Sequence, residues 1–297
     1  MLLEKRIPLI YIFSKIKWQM LLIVAIVLTL DYFHHNLDKY VPEIPLALPA
    51  FLGTAISVLI SFKLSQSYDR WWEARKIWGG MVNDSRSFIL QLQSYIPSNN
   101  SNEIKKIAYR HIAWLFCLGQ SLREQNALDN IEEFLTPEDM AEVSKYSNKP
   151  LAILQLNYQH LSKLKKEKKL NYLSLIHLNQ TMFFFSEHSG KSERIKSTIF
   201  PTTYRLFLHW LIYLFIIILC IAMEHVDIFY EIPLILSIGS AFILLERTAT
   251  QIQDPFSNNP TDTPVTSIAR KIEINIKELL KEQNIPEPTK PNGYYIM

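Results

Sequence analysis

Apolar residues gather in four runs, two toward each end of the chain, with a long polar middle between the pairs. The first run is Trp18–Leu30, extending to about Phe33. The second is Ile44–Phe62, the third Tyr204–Met223, and the fourth Ile232–Leu245, with a start that can reach back toward Val226. A helix needs about 20 residues to cross roughly 30 Å of hydrocarbon. The second and third runs meet that length unaided, and the first is short. Pro49 either kinks the second run or marks its true start. Between Lys63 and Ile199 no uncharged run is long enough to cross a bilayer. Helical signals fill that stretch instead. Ser67–Ile96 continues the second run, and PSNNSN at 97–102 breaks it. Ile104, Ile107, Ile112 and Leu115 stripe a helix over Glu103–Glu124. Thr136-Pro137 reads as an N-cap with Pro at the first helical position. Pro150 opens a helix through about Leu164, and another runs from Leu170 to about Glu187. Val265, Ile268, Ile272, Ile276 and Leu279 stripe a last helix. Strand-like alternation is scarce, so the expected class is all-α, with four transmembrane helices and a helical cytosolic region.

The expected organisation has five parts. Residues 1–17 form an amphipathic cytosolic arm carrying Lys5, Arg6, Lys15 and Lys17. Residues 18–66 hold the first two spans, 67–200 the helical cytosolic insertion and 201–247 the last two spans. Residues 248–297 form a cytosolic loop and the C-terminal helix. The loops after the first and third runs contain only Lys39 as a basic residue, while the other segments are rich in Lys and Arg. The positive-inside rule therefore puts both termini and the insertion of this multi-pass membrane protein in the cytoplasm.

Composition narrows the chemistry. A net charge of +3 and no compact basic region argue against a nucleic-acid partner. Cys117 and Cys220 are far apart and read as free thiols, with no zinc spacing. No phosphate-binding glycine loop, HExxH helix or GxSxG elbow occurs, so neither an enzyme nor a cofactor or metal is expected. The middles of the four runs lack Asp, Glu, Lys and Arg, and no internal repeat is visible. That weighs against a coupled transporter. A membrane sensor stays open.

In the second run Gly53, Thr54, Ala55, Ser57 and Ser61 are small or weakly polar, which suits close helix packing. Thr54, Val58 and Phe62 are four apart and share a helical face. Either this helix packs tightly among neighbours or it lines a narrow, mostly apolar pore. The adjoining block, SYDRWWEARKIWGGMVNDSR over 67–86, resembles the segment after the second membrane helix of bestrophins, especially bacterial ones. The resemblance returns at Glu193-Arg194-Ile195 with Pro201 and Tyr204, and again at Asp254-Pro255-Phe256 with Asp262 and Pro264.

This resemblance implies a homopentameric ion channel with a central pore, in which 44–62 is the pore-lining helix. It aligns Thr54, Val58 and Phe62 with three hydrophobic neck positions, Thr54 being a departure expected to widen or wet the outer neck. A second restriction in the cytosolic vestibule falls near Leu173. Asp69, Arg70, Trp71, Trp72 and Glu73 are expected to be structural, with Arg75 adding to a desolvated ion-pair network. Asp254 and Asp262 are too few carboxylates for a tight calcium site, so the DPF loop is expected to cap the fourth span and dock the last helix. The expected partners are monovalent ions, the bilayer and four further copies. With Asp31, Asp38, Glu43, Glu224, Asp227 and Glu231 in the extracellular loops and no Lys or Arg in the neck, the expected preference is for cations. The alternatives are an anion (chloride) channel of the same architecture, a transporter or a sensor.

Overall fold

A computed structural model of the chain describes residues 1, 8–37, 44–198, 201–223 and 226–296. Nine α-helices run through these residues: α1 (Leu9–Leu37), α2 (Ala47–Tyr95), α3 (Ser101–Leu122), α4 (Pro137–Ser144), α5 (Lys149–Lys166), α6 (Tyr172–Ser197), α7 (Thr202–Ala222), α8 (Ile228–Gln253) and α9 (Val265–Leu279). The described residues contain no strand beyond one isolated bridge between Asn292 and Tyr295.

Proline placement explains the longest element. The Leu48 and Ala50 amides donate to the Pro45 and Leu46 carbonyls at 3.0 and 3.2 Å, so Pro49 sits in the first turn, where no helical donor is missed. α2 spans 49 residues, from Ala47 to Tyr95, and meets no further proline until Pro97. It begins at Ala47, leaving Ile44–Leu46 of the expected 44–62 helix outside it. Other boundaries also differ from expectation. α1 begins at Leu9, so 9–17 is continuous with the first span rather than a separate arm. α8 passes Glu246 and Arg247 and ends at Gln253, and α6 extends to Ser197. The Thr136 cap holds as read, its Oγ1 accepting from the Asp139 amide at 3.2 Å, and the structure adds Asn148 and Asn171 as caps of α5 and α6 in the same way.

The chain forms two compact units. One comprises Trp71–Thr198 and Asp254–Met297 with Met1–Glu4. The other comprises Lys5–Arg70 and Ile199–Gln253. The first has a continuous core that includes Trp78, Phe88, Trp114, Phe185 and Phe256. His111 lies fully buried in it, stacked on Trp114 with ring centroids 5.4 Å apart. Burial drives its pKa down to about 3, so the ring is neutral. The α9 stripe of Val265, Ile268, Ile272 and Ile276 completes this core.

The second unit holds the apolar bundle of α1, the first half of α2, α7 and α8. Among the described residues four helices, α1, α2, α7 and α8, are long and apolar enough to cross a membrane. Small residues allow close contact in the bundle. A methyl group on Gly239 would lie 2.9 Å from Ile23 and 3.2 Å from Ile216, and one on Gly53 would lie 3.3 Å from the Phe215 ring.

Candidate ion pathway

Within its bundle unit α2 has two faces. Ile56, Ile60, Lys63 and Ser67 form the buried one, at spacings of four, three and four. Phe51, Thr54, Val58 and Phe62 lie on the opposite side, with Val58 65% and Phe62 59% exposed. The three expected neck positions therefore share one outward face. The Thr54 hydroxyl donates to the Ala50 carbonyl at 2.9 Å, and Ser57 donates to Gly53 at 2.8 Å. The polar atom at the first neck position is thus satisfied within its own helix.

One helical step past Phe62 is a group that reading the charges as span ends had missed. Lys63 Nζ donates to Glu246 Oε1 at 2.6 Å and to Thr250 Oγ1 at 2.7 Å, and Thr250 in turn donates to Glu246 Oε1 at 2.8 Å. The Lys63 and Glu246 side chains are 0% and 1% exposed. Glu246 Oε2 has no hydrogen bond, and His209 Nε2 stands 3.3 Å from it. Register was the available signal. Ile235, Gly239, Ile243 and Glu246 continue one stripe of α8, just as Ile56, Ile60 and Lys63 continue one stripe of α2.

The aromatic and charged block splits by face. Arg70 Nε donates at 2.9 Å to the carbonyl of Gln253, the last residue of α8, placing a cation at that helix's C-terminus. Trp71 Nε1 donates to the Thr261 carbonyl at 2.9 Å and its ring stacks on that of Trp72, which is half exposed. Asp69 is exposed. Glu73 accepts from Lys76 at 2.6 Å on a surface that this single chain leaves exposed.

In the loop after α8, Phe256 is fully buried beside a buried Pro255, and Asp254 holds the turn. Asp254 accepts from the Phe256 amide at 3.0 Å, from Lys196 at 2.9 Å and from Ser257. Burial pushes its carboxyl pKa up, but these bonds and the Lys196 charge outweigh burial and hold it below the usual value. Asp262, fully enclosed, is instead pushed up to about 6, by burial first and by Asp254 after it.

The described acids expected at the outer mouth differ in exposure. Asp31 and Asp227 are exposed, and Asp227 Oδ1 caps α8 by accepting from the Phe229 amide at 2.8 Å. Glu231 is only 6% exposed, at the start of the buried α8 stripe, so it does not face open water. Asp38, Glu43 and Glu224 lie outside the described residues. Leu173 is 69% exposed on the first turn of α6, on a face shared with Ile176, Phe183 and Phe184.

The model of the bacterial/fungal bestrophin protein family matches residues 10–278. The chain belongs to the bestrophin family. It is 30% identical over 283 residues to the voltage-dependent anion channel-forming protein YneE of Escherichia coli O157:H7, covering 95% of this chain and 91% of that one. The Ralstonia nicotianae protein of the same description, RSc3414, is 24% identical, covering 83% and 81%. A crystal structure of a bacterial bestrophin homolog from Klebsiella pneumoniae shares the fold, with a TM-score of 0.85 at 23% identity over 91% of this chain and 100% of that one. The all-helical architecture with four apolar helices is thus the bestrophin fold in this membrane protein.

Proposed function

We propose that five copies of this chain form a channel for small monovalent ions in the bacterial inner membrane, with both termini and the 67–200 insertion cytoplasmic. The outward face of α2 carries this reading. Thr54, Val58 and Phe62 stand opposite a packed face, and a closed ring of such helices would make them an apolar constriction that gates by dewetting. Bestrophin membership and relatives described as channel-forming support conduction. The distribution of Lys and Arg supports the orientation. Leu173, exposed at the start of α6, is the proposed second restriction.

Anion passage is the preference that the relatives' descriptions support. Cation preference is the second reading. Exposed Asp31 and Asp227, repeated around a ring, would concentrate cations at the mouth, but the burial of Glu231 removes one acid from that argument. The test is the reversal potential of purified protein in planar bilayers under a KCl gradient, beside Phe62→Ala and Leu173→Ala. Discrete currents that grow several-fold in Phe62→Ala are expected, and the sign of the potential selects anion or cation. A change of reversal potential in Leu173→Ala is expected if that ring touches the ions. Silence from folded, reconstituted wild type and Phe62→Ala overturns the channel reading.

A further inference from the structure

α2 poses a problem of orientation. Its packed face (Ile56, Ile60) and its outward face (Phe51, Val58, Phe62) are about equally apolar. Inside a bilayer, lipid tails accept either face, so burial of apolar surface gives little preference between the two. Close packing at Gly53 against Phe215 and the Tyr204 hydroxyl bond to the Leu59 carbonyl at 2.8 Å hold the helix against α7. At Lys63, and again at Arg70 two turns on with its bond to the Gln253 carbonyl, this side of α2 carries a charged group that cannot be turned outward without losing its partners, and of the two only Lys63 is fully buried beside the neck positions. The pair that Lys63 makes with Glu246 is also unlike an ordinary stabilising contact. Taking two charges out of water is costly, and an apolar pair of similar volume usually does as well or better. Glu246 even retains an oxygen without a hydrogen bond. Such a pair contributes most by separating one arrangement from its competitors.

We propose that Lys63 and Glu246, with Thr250, are positioning residues for the neck: their buried contact fixes the rotation of α2 so that Val58 and Phe62 face away from the bundle. The inference rests on the outward face of α2 being the neck. Lys63 immediately follows Phe62, so each is about 100° of helix rotation from the other. A contact that locks Lys63 toward α8 thereby sets where Phe62 points.

The test reads orientation and conduction separately. Single cysteines at 56, 58, 60 and 62 are reacted with a water-soluble maleimide in reconstituted full-length protein, where the native Cys117 and Cys220 are buried. Val58→Cys and Phe62→Cys are expected to react at least about tenfold faster than Ile56→Cys and Ile60→Cys, as protected sites react only through local opening. In Lys63→Met/Glu246→Met this contrast is expected to collapse and unitary currents to become heterogeneous, while the thermal midpoint is unchanged or higher. A folded double variant that keeps both the contrast and uniform currents overturns the proposal. If that variant does not fold, Thr250→Val, which removes one acceptor from Lys63, decides: a weakened contrast supports the proposal and an unchanged one overturns it. A contrast that is present in wild type and lost in the variant, with no current from either, leaves the positioning role standing and defeats the channel reading.

Discussion

Each unit contains a buried ion pair, and the two are built differently. In the unit holding Trp71–Thr198, Arg110 grips Asp139 with two bonds of 2.7 Å. Its remaining nitrogen reaches His160 Nδ1 at 3.1 Å, and His160 Nε2 meets Glu103 at 2.8 Å. Both partners keep 8% exposure. Bidentate geometry and a chain of further partners satisfy nearly every polar atom there. Lys63 and Glu246 share a single direct bond, with Thr250 bridging them and His209 Nε2 3.3 Å from a Glu246 oxygen that has no hydrogen bond, and they are less exposed. The first pair joins α3 to α4 as part of a satisfied network. The second is a sparse contact in an apolar bundle, and its geometry fits a role in selecting an arrangement better than a role in stability.

The largest effect should come from leaving Lys63 alone. Glu246→Leu is expected to cost about 3–5 kcal/mol, the usual penalty for an uncompensated buried charge, measured by reversible unfolding in mixed micelles. Arg110→Met should cost less, about 2–3 kcal/mol, because Asp139 lies nearer water and has the Thr136 cap beside it. Removing both partners separates the two sites further. Lys63→Met/Glu246→Met should lie within about 1 kcal/mol of wild type or above it. Arg110→Met/Asp139→Leu should still cost about 1–2 kcal/mol, since His160, 9% exposed, loses a partner, whereas His209 beside Glu246 is 31% exposed and can turn to water. Equal costs for the two double variants would erase the distinction.

Acid sharpens the contrast. Burial pushes the Asp139 carboxyl pKa up, but the Arg110 bonds and charge outweigh it and hold the pKa below its usual value. A lowered folded pKa means the pair's contribution is present above the unfolded aspartate pKa and is lost as pH falls through the folded value. Asp139→Asn should therefore unfold with a shallower dependence on pH in the acid range, followed by circular dichroism. The smallest effect is expected from His160→Gln, about 0.5–1.5 kcal/mol, because it removes one hydrogen-bonded link while the Arg110 fork remains. A cost as large as that of Arg110→Met would mean that the network, rather than the fork, holds α3 to α4.

Much of this protein can be read from its residues in order. The four apolar runs, the Thr136 cap and the α9 stripe are local patterns, and helix geometry converts them directly into elements. The blocks at 67–86, 193–204 and 254–264 identified the bestrophin family, which the family match over 10–278 bears out. Ends of elements were less legible where a charge falls inside a helix. Glu246 and Arg247 read as the end of a span because a charge normally marks water, yet α8 continues to Gln253 with Glu246 on its buried stripe. Glu231 misled in the same way at the other end of that stripe.

What the sequence alone determined was the helical class, the four long apolar helices, the family and the shared face of Thr54, Val58 and Phe62. Each depends on spacing along one helix, which the chain carries in its own order. Only tertiary structure decided that this face points outward, that Glu231 turns inward and that Lys63 finds Glu246. The last pairing spans 183 residues, and nothing local to either residue encodes it, because a charge at a span's edge looks the same whether it faces water or a partner.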